Sequence, residues 1–259
     1  MPHRQLFRFV LAALVLALGA LPTLANDGDF ADDIHRAHGL TSWQGADALA
    51  ADLEVWFGGQ KAIEGTLTMG TTGGEVHLAL ADGSVLVYDG RDAWMSAGTT
   101  LPRARFHLLT WPYFVAAPMK ITDPGTHLAA LGDRPLRDGQ AMPTARLTFG
   151  AGVGDSPDDW YILYRDPKTD HLAAMAYIVT YGTPTAEAEQ EPHAITYHDV
   201  KEVGDGVHLA TRWQFWNWAE DAGLVGEPIG RAAISNLRFF EPQAGTFERP
   251  VGAVEAPLP

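Results

Sequence analysis

The sequence predicts a mainly-β α+β fold, a curved antiparallel half-barrel of about ten strands enclosing a helical plug. Three observations predict it. First, apolar and polar residues alternate with period two over short runs, separated by Gly-Gly and Asp-Gly turns at spacings near ten residues. That is the mark of an antiparallel meander with one apolar and one wet face. Second, the stretch Trp111 to Gly125 is strongly apolar yet interrupted by Pro112 and Pro118. It suits neither a regular helix nor a central strand, and a sheet that curls around it is the simplest cover. Third, the 259 residues include no cysteine. A chain of this length can be held by its apolar core alone, without disulfides.

The chain opens with an export signal. His3, Arg4 and Arg8 make a positive start, Phe9 to Leu21 is apolar, and Thr23-Leu24-Ala25 is a small-residue cleavage site. Residues 1–25 therefore read as a signal peptide, leaving Asn26 as the new N-terminus and a periplasmic or secreted protein. No other stretch is long and apolar enough to span a membrane, and no cysteine follows the signal to carry a lipid. Losing Arg4 and Arg8 takes the basic residues from 18 to 16 against 32 acidic ones, so the net charge moves from −14 to −16. Such a surface repels nucleic acid and anionic headgroups.

The elements follow in order. Residues 27–39 predict a helix with Phe30, Ile34, Ala37 and His38 on one face and Gly39 at its end. Alternating strands are expected at 49–57, 63–69, 76–80, 85–88 and 93–96. Thr100 is the expected cap of a second helix, which Pro112 should break or kink. This helix and its continuation form the plug, Arg103 to Lys120. Further strands are expected at 144–149, 160–165, 172–181, 194–200, 207–218 and 232–240. Those at 160–165 and 172–181 carry apolar residues on both faces and belong in the middle of a sheet. Thr183 to His193, rich in glutamate, reads as an exposed mobile loop. One domain over 26–247, with a loose proline-rich tail over 248–259, is the economical division.

The residues offer little reaction chemistry. None of the five serines sits in a Gly-x-Ser-x-Gly turn, and Gly154-Asp155-Ser156 lies in a turn-rich stretch before a proline. His35 and His38 lie three apart beside Asp32, but no further ligand is indicated, so no metal is expected. No phosphate-cradling glycine loop opens a helix, and no cofactor is expected. Paired carboxylates for glycoside chemistry stay open, because their pairing is spatial. Aromatic residues are the excess: Trp213, Phe215, Trp216 and Trp218 fall within six positions, with Trp213 and Phe215 on one face and Trp216 and Trp218 on the other. One reading is a filled core, and the other is a groove for an apolar ligand.

Certain phrases resemble a known family. Tyr113-Phe114, Ala117-Pro118-Met119-Lys120, Asp123-Pro124-Gly125, the strand pair Trp160–Tyr164 and Met175–Tyr181, Tyr197-His198-Asp199, Asn217-Trp218 and Phe247-Glu248-Arg249-Pro250 are similar to an uncharacterised exported bacterial family. That family resembles the LolA/LolB-like lipoprotein carriers. The resemblance implies a half-barrel closed over a helical plug with an apolar cavity between them. The function then expected is binding of a lipid or acyl chain in that cavity. A hydrolase on the same scaffold and an interaction module for another envelope protein are the alternatives. The groove would be lined from the plug by Phe106, His107, Trp111, Tyr113 and Phe114. From the sheet it would be lined by Tyr164, Tyr177, Trp213 and Phe215, with His107, Tyr113 and Tyr164 orienting the ligand.

Overall fold

The computed structural model describes residues 27–137 and 139–258, so the signal peptide expected over 1–25 lies outside the described residues. Two helices come first, α1 (Asp27–His38) and α2 (Leu40–Gly45). Gly39 joins them at φ +78°, and a β-carbon there would stand 2.4 Å from the Gly206 carbonyl oxygen. Only glycine tolerates both the left-handed turn and that approach.

A first meander follows: β1 (Ala48–Phe57), β2 (Gln60–Gly70), β3 (Val76–Leu80), β4 (Val85–Tyr88) and β5 (Ala93–Met95). Along β1 the alternation is as the sequence implies, with Leu49, Leu53 and Val55 buried and Asp52, Glu54 and Trp56 more exposed. The chain then enters α3 (Ala104–Ala116) and a single 3₁₀ turn (Ala117–Met119). A second meander runs β6 (Thr126–Arg137), β7 (Gln140–Phe149), β8 (Tyr161–Arg165), β9 (Leu172–Tyr177), the short α4 (Thr185–Ala188), β10 (His193–Gly204), β11 (Val207–Ala219) and β12 (Gly223–Phe240). A last strand, β13 (Val254–Glu255), pairs with β5.

Among the described residues thirteen strands join one open antiparallel sheet, in the order β13-β5-β4-β3-β2-β1-β12-β11-β10-β9-β8-β7-β6. The two meanders meet where β1 pairs with β12. This order explains the plug. The segment after β5 begins near one edge of the sheet, and β6 lies at the other. The connection must therefore cross the hollow of the curved sheet, and α3 is that connection.

Four details differ from the sequence expectation. Pro112 does not break the helix, for α3 runs through it to Ala116. Proline costs a backbone bond there, but Leu108, Trp111, Phe114 and Val115 are all buried around it. Packing outweighs the local penalty in a helix that is apolar on most sides. The helix also begins at Ala104, after Arg103 in the left-handed region at φ +52°, rather than at Thr100. Strand β6 was not legible, because it contains Gly132 and Pro135; an edge strand tolerates both. The tail is not loose throughout: β13 holds it to β5, and Ala253 and Ala256 are buried.

The sheet has an apolar layer on each face. The larger one, on the concave face, takes in α1, α3, Trp213 and Phe215. A smaller one on the convex face gathers Leu136, Met142, Ile162, Tyr164 and Trp218. The β6–β7 hairpin folds over it and reaches the β11–β12 turn. There a β-carbon on Gly223 would stand 2.3 Å from the Leu136 carbonyl oxygen.

Candidate functional site

Between α3 and the concave face lies a cavity of about 500 Å3. Its helix wall presents Phe106, His107, Thr110, Trp111, Tyr113 and Phe114. Its sheet wall presents Met69, Val76, Tyr161, Tyr177 and Phe215, and Lys120, Asp123, Asp155 and Asp159 stand on its polar side. The size falls in the ordinary range for a small-molecule site, about 300 to 1,000 Å3.

Aromatic rings make much of the wall. Phe114 packs against Tyr177 at 5.2 Å and against Phe215 at 6.3 Å between ring centres. Tyr113 stacks on Tyr161 at 5.4 Å, and Phe106 meets Tyr181 at 5.5 Å. His107 and Trp111, one helical turn apart, stack at 5.7 Å with their planes 18° from parallel.

The cations near the cavity are engaged. Arg105 on α3 makes a two-pronged ion pair with Asp155, its Nη2 donating to Oδ1 at 2.9 Å. This fastens the β7–β8 loop to the helix. Lys120 Nζ donates to Asp123 Oδ2 at 3.0 Å. Arg103 Nη2 donates to the Tyr181 carbonyl at 2.8 Å while its guanidinium covers Phe106 and Tyr181. Those contacts hold Arg103 in its left-handed backbone conformation and so set the start of α3.

Burial dominates the titration of the groups inside. It pushes the Tyr113, Tyr161 and Tyr177 phenols up, so they stay protonated at neutral pH. Burial, aided by the Arg103 charge, pushes His107 down to about 4, so its imidazole is neutral. Burial raises Asp159 to about 6 although Thr180 donates to it twice. The aromatic part of the interior is therefore uncharged, and the charged groups of the wall are confined to its polar side.

No acid–base pair is assembled from these groups. Asp159 is occupied by Thr180, Asp155 by Arg105, and the His107 Nδ1 atom has no partner. Ser156 borders the cavity in the turn-rich stretch before β8, beside the engaged Asp155. His38 is not free to bind a metal. The Leu172 N–H donates to its Nε2 at 3.0 Å, so its Nδ1 carries the proton and donates to the His208 carbonyl at 2.7 Å. These bonds pin α1 to β9 and β11, and burial pushes the His38 pKa down to about 3. Among the described residues no three His, Asp or Glu side chains gather as a metal site.

Of the nine residues the sequence nominated, Phe106, His107, Trp111, Tyr113, Phe114, Tyr177 and Phe215 border the cavity. Tyr164 and Trp213 do not. Tyr164 lies on the convex face, where it accepts a hydrogen bond from Trp218 Nε1 at 3.0 Å. Strand β8 is apolar on both faces, which concealed its orientation; Tyr161 and Leu163 point inward, and Ile162 and Tyr164 point outward. Trp213 is on the concave face but sits behind Phe114, 6.3 Å away. Tyr161, Phe149 and Tyr181 also border the cavity and were not nominated. Alternation from Ala145 and Leu147 pointed Phe149 inward, and was the available signal.

No family model and no curated protein matches the sequence. Solved structures do match. A LolA superfamily protein from Nitrosomonas europaea is 10% identical, with 84% of this chain and 96% of that one covered, at a TM-score of 0.55. A putative outer membrane lipoprotein-sorting protein domain from Vibrio parahaemolyticus is 12% identical, with 83% and 94% covered, at 0.48. A DUF1329 family protein from Desulfovibrio piger is 13% identical, with 80% and 92% covered, at 0.45. The first of these likenesses shows that the fold is LolA-like, an open curved sheet with a helix in its hollow.

Proposed function

We propose that this chain is an exported, periplasmic binding protein that carries a lipid or acyl chain between the concave face and α3. The observation that carries this reading is the aromatic cavity of about 500 Å3. A cavity is costly in a core that exists only to be packed. Enclosing an acyl chain there removes apolar surface from water at about 25 cal/mol per Å2. The signal-peptide pattern of residues 1–25 and the acidic surface suit an exported carrier that does not adhere to anionic membranes. The LolA-like fold, shared with the LolA superfamily protein from Nitrosomonas europaea, is in keeping with this role.

The test is to purify the mature chain from the periplasm, extract it with organic solvent and analyse the extract by mass spectrometry. An environment-sensitive dye is then bound and competed with acyl lipids. Near-stoichiometric acyl lipid and full displacement are expected. An empty extract together with a dye that no acyl compound displaces would refute the reading.

A further inference from the structure

The polar side of the cavity keeps one carboxylate without a cation. Lys120 is taken by Asp123, and Arg105 by Asp155. Asp159 receives both Thr180 hydrogen bonds, from the backbone N–H and from the hydroxyl, on its Oδ1 at 2.7 Å each. Its Oδ2 has no partner among the described residues and, unlike Trp111 Nε1, is not sealed inside the protein. Asp159 borders the cavity.

Three tyrosines stand on the same wall. Tyr161 and Tyr177 are only 8% and 9% exposed. Their hydroxyls, like that of Tyr113, have no hydrogen-bond partner among the described residues, yet none of the three is sealed. Side chains so buried reach water only through the cavity they border. Tyr197 is the contrast, for its hydroxyl donates to the Phe114 carbonyl at 3.3 Å. The rings form a continuous patch: Tyr161 lies 5.4 Å from Tyr113, 6.3 Å from Tyr177 and 5.7 Å from Phe149 between centres. Asp159 lies close to this patch. Burial is the first cause of the raised Tyr113 and Tyr161 pKa values, and the Asp159 charge adds to the rise at both.

These groups select by charge. Ring faces attract a cation, phenol oxygens accept from its N–H groups, and a carboxylate oxygen pairs with it. A carboxylate or phosphate would meet the Asp159 charge with Lys120 and Arg105 already spent. A neutral head would leave Asp159 partly buried and uncompensated.

We propose that the polar end of the ligand is an ammonium group, held at Asp159 Oδ2 against the Tyr113, Tyr161 and Tyr177 rings, with its hydrocarbon running along the aromatic wall. This rests on the carrier reading above and specifies the charge of the ligand's head. The experiment competes an uncharged dye bound to the full mature chain with four amphiphiles of equal chain length: an alkylamine, an alcohol, a carboxylate and a zwitterionic alkyl phosphoethanolamine. The amine should displace at roughly fivefold or more lower concentration than the alcohol, the size expected for one partly desolvated cation on a ring and a carboxylate. Asp159→Asn keeps an acceptor for Thr180 and should abolish that advantage. Asp158→Asn, exposed and next in the chain, removes the same unit of charge and should leave it. In the natural protein the advantage should fade as pH drops through about 6 and Asp159 takes up a proton. The groups around it are Asp158 beside it, Thr180 after β9, Tyr113 on α3 and Tyr161 on β8, and none of the tyrosines titrates in that window.

Equal displacement by amine and alcohol would overturn the proposal and leave the carrier reading intact. So would a carboxylate or zwitterion that binds tightest, or an amine advantage that persists unchanged at pH 4. An equal loss in both variants would trace the preference to the acidic surface as a whole and overturn it too. If no amphiphile displaces the dye, the carrier reading itself fails and takes this proposal with it.

Discussion

The two faces of the sheet are built from the same kinds of residue and end in opposite states. On the convex face, Trp160, Trp216 and Trp218 lie with Tyr164, Leu136 and Met142. Two of these indoles are satisfied, Trp216 by Thr196 and Trp218 by Tyr164, and Arg137 and Arg146 lie over Trp216 and Trp160 at 4.6 and 5.0 Å. On the concave face, Trp111, Phe114 and Phe215, backed by Trp213, border a space of about 500 Å3. His107, Trp111 and Trp213 each keep an unpartnered ring nitrogen there. A cluster of aromatics is thus not by itself a sign of function. The difference is whether the polar ends of the rings are answered and the space between them is filled.

The comparison breaks most directly at Trp218. Trp218→Ala should cost about 3 to 5 kcal/mol of stability, as for other buried aromatic truncations. Acyl-lipid affinity of the folded fraction should not change; a loss of affinity measured by dye displacement would mean the convex layer belongs to the site.

Acid comes next. The His38 pKa is depressed from 6.5 to about 3, so the unfolded chain binds the proton that the folded chain refuses. Stability from this group is complete above pH 6.5 and is lost as pH falls toward 3, by up to roughly 5 kcal/mol. Denaturant unfolding measured across that window should show the decline, and a flat profile would contradict it. His107, depressed to about 4, falls in the same window. Its ring, which borders the cavity, should respond in NMR titrations to a bound acyl lipid, whereas the His38 ring, with both nitrogens bonded inside the protein, should not.

A smaller effect separates the faces by one atom group. Trp218→Phe loses a hydrogen bond and strands the Tyr164 hydroxyl, whereas Trp213→Phe removes an N–H that has no partner. The first should therefore be about 1 to 3 kcal/mol more destabilising than the second by denaturant unfolding. The smallest change in stability should come from Thr110→Trp, which adds a ring into the cavity from the half-buried side of α3. We expect a shift within about 1 kcal/mol, since existing space is being filled, together with at least tenfold weaker acyl binding. Strong destabilisation with unchanged binding would show that the space is not where the ligand sits.

Local pattern went far toward the fold. Period-two alternation and glycine turns placed most strands, because burial on one side of a sheet has to repeat every second residue. It failed at β6, an edge of the sheet, where Gly132 and Pro135 are tolerated because among the described residues no further strand pairs with it. It failed at Pro112 because a local rule about backbone bonds was overridden by burial of Leu108, Trp111 and Phe114. In the site, the plug residues could be nominated because the helix is apolar on most sides. The sheet residues came from strands apolar on both faces, where alternation does not say which face turns inward, and so Tyr164 was misassigned while Tyr177 and Phe215 were not.

What the chain alone determined is the position of most strands and the existence of an apolar crossing segment, since each depends on neighbours within a few residues. What the folded molecule decided is which face each ring of β8 and β11 turned toward, that the crossing stayed helical, and which ring nitrogens were left without a partner. Those depend on side chains that meet from distant parts of the chain, as Trp218 meets Tyr164 and Arg105 meets Asp155. No sequence period encodes such meetings, because they are fixed by the order in which the strands close the sheet around α3.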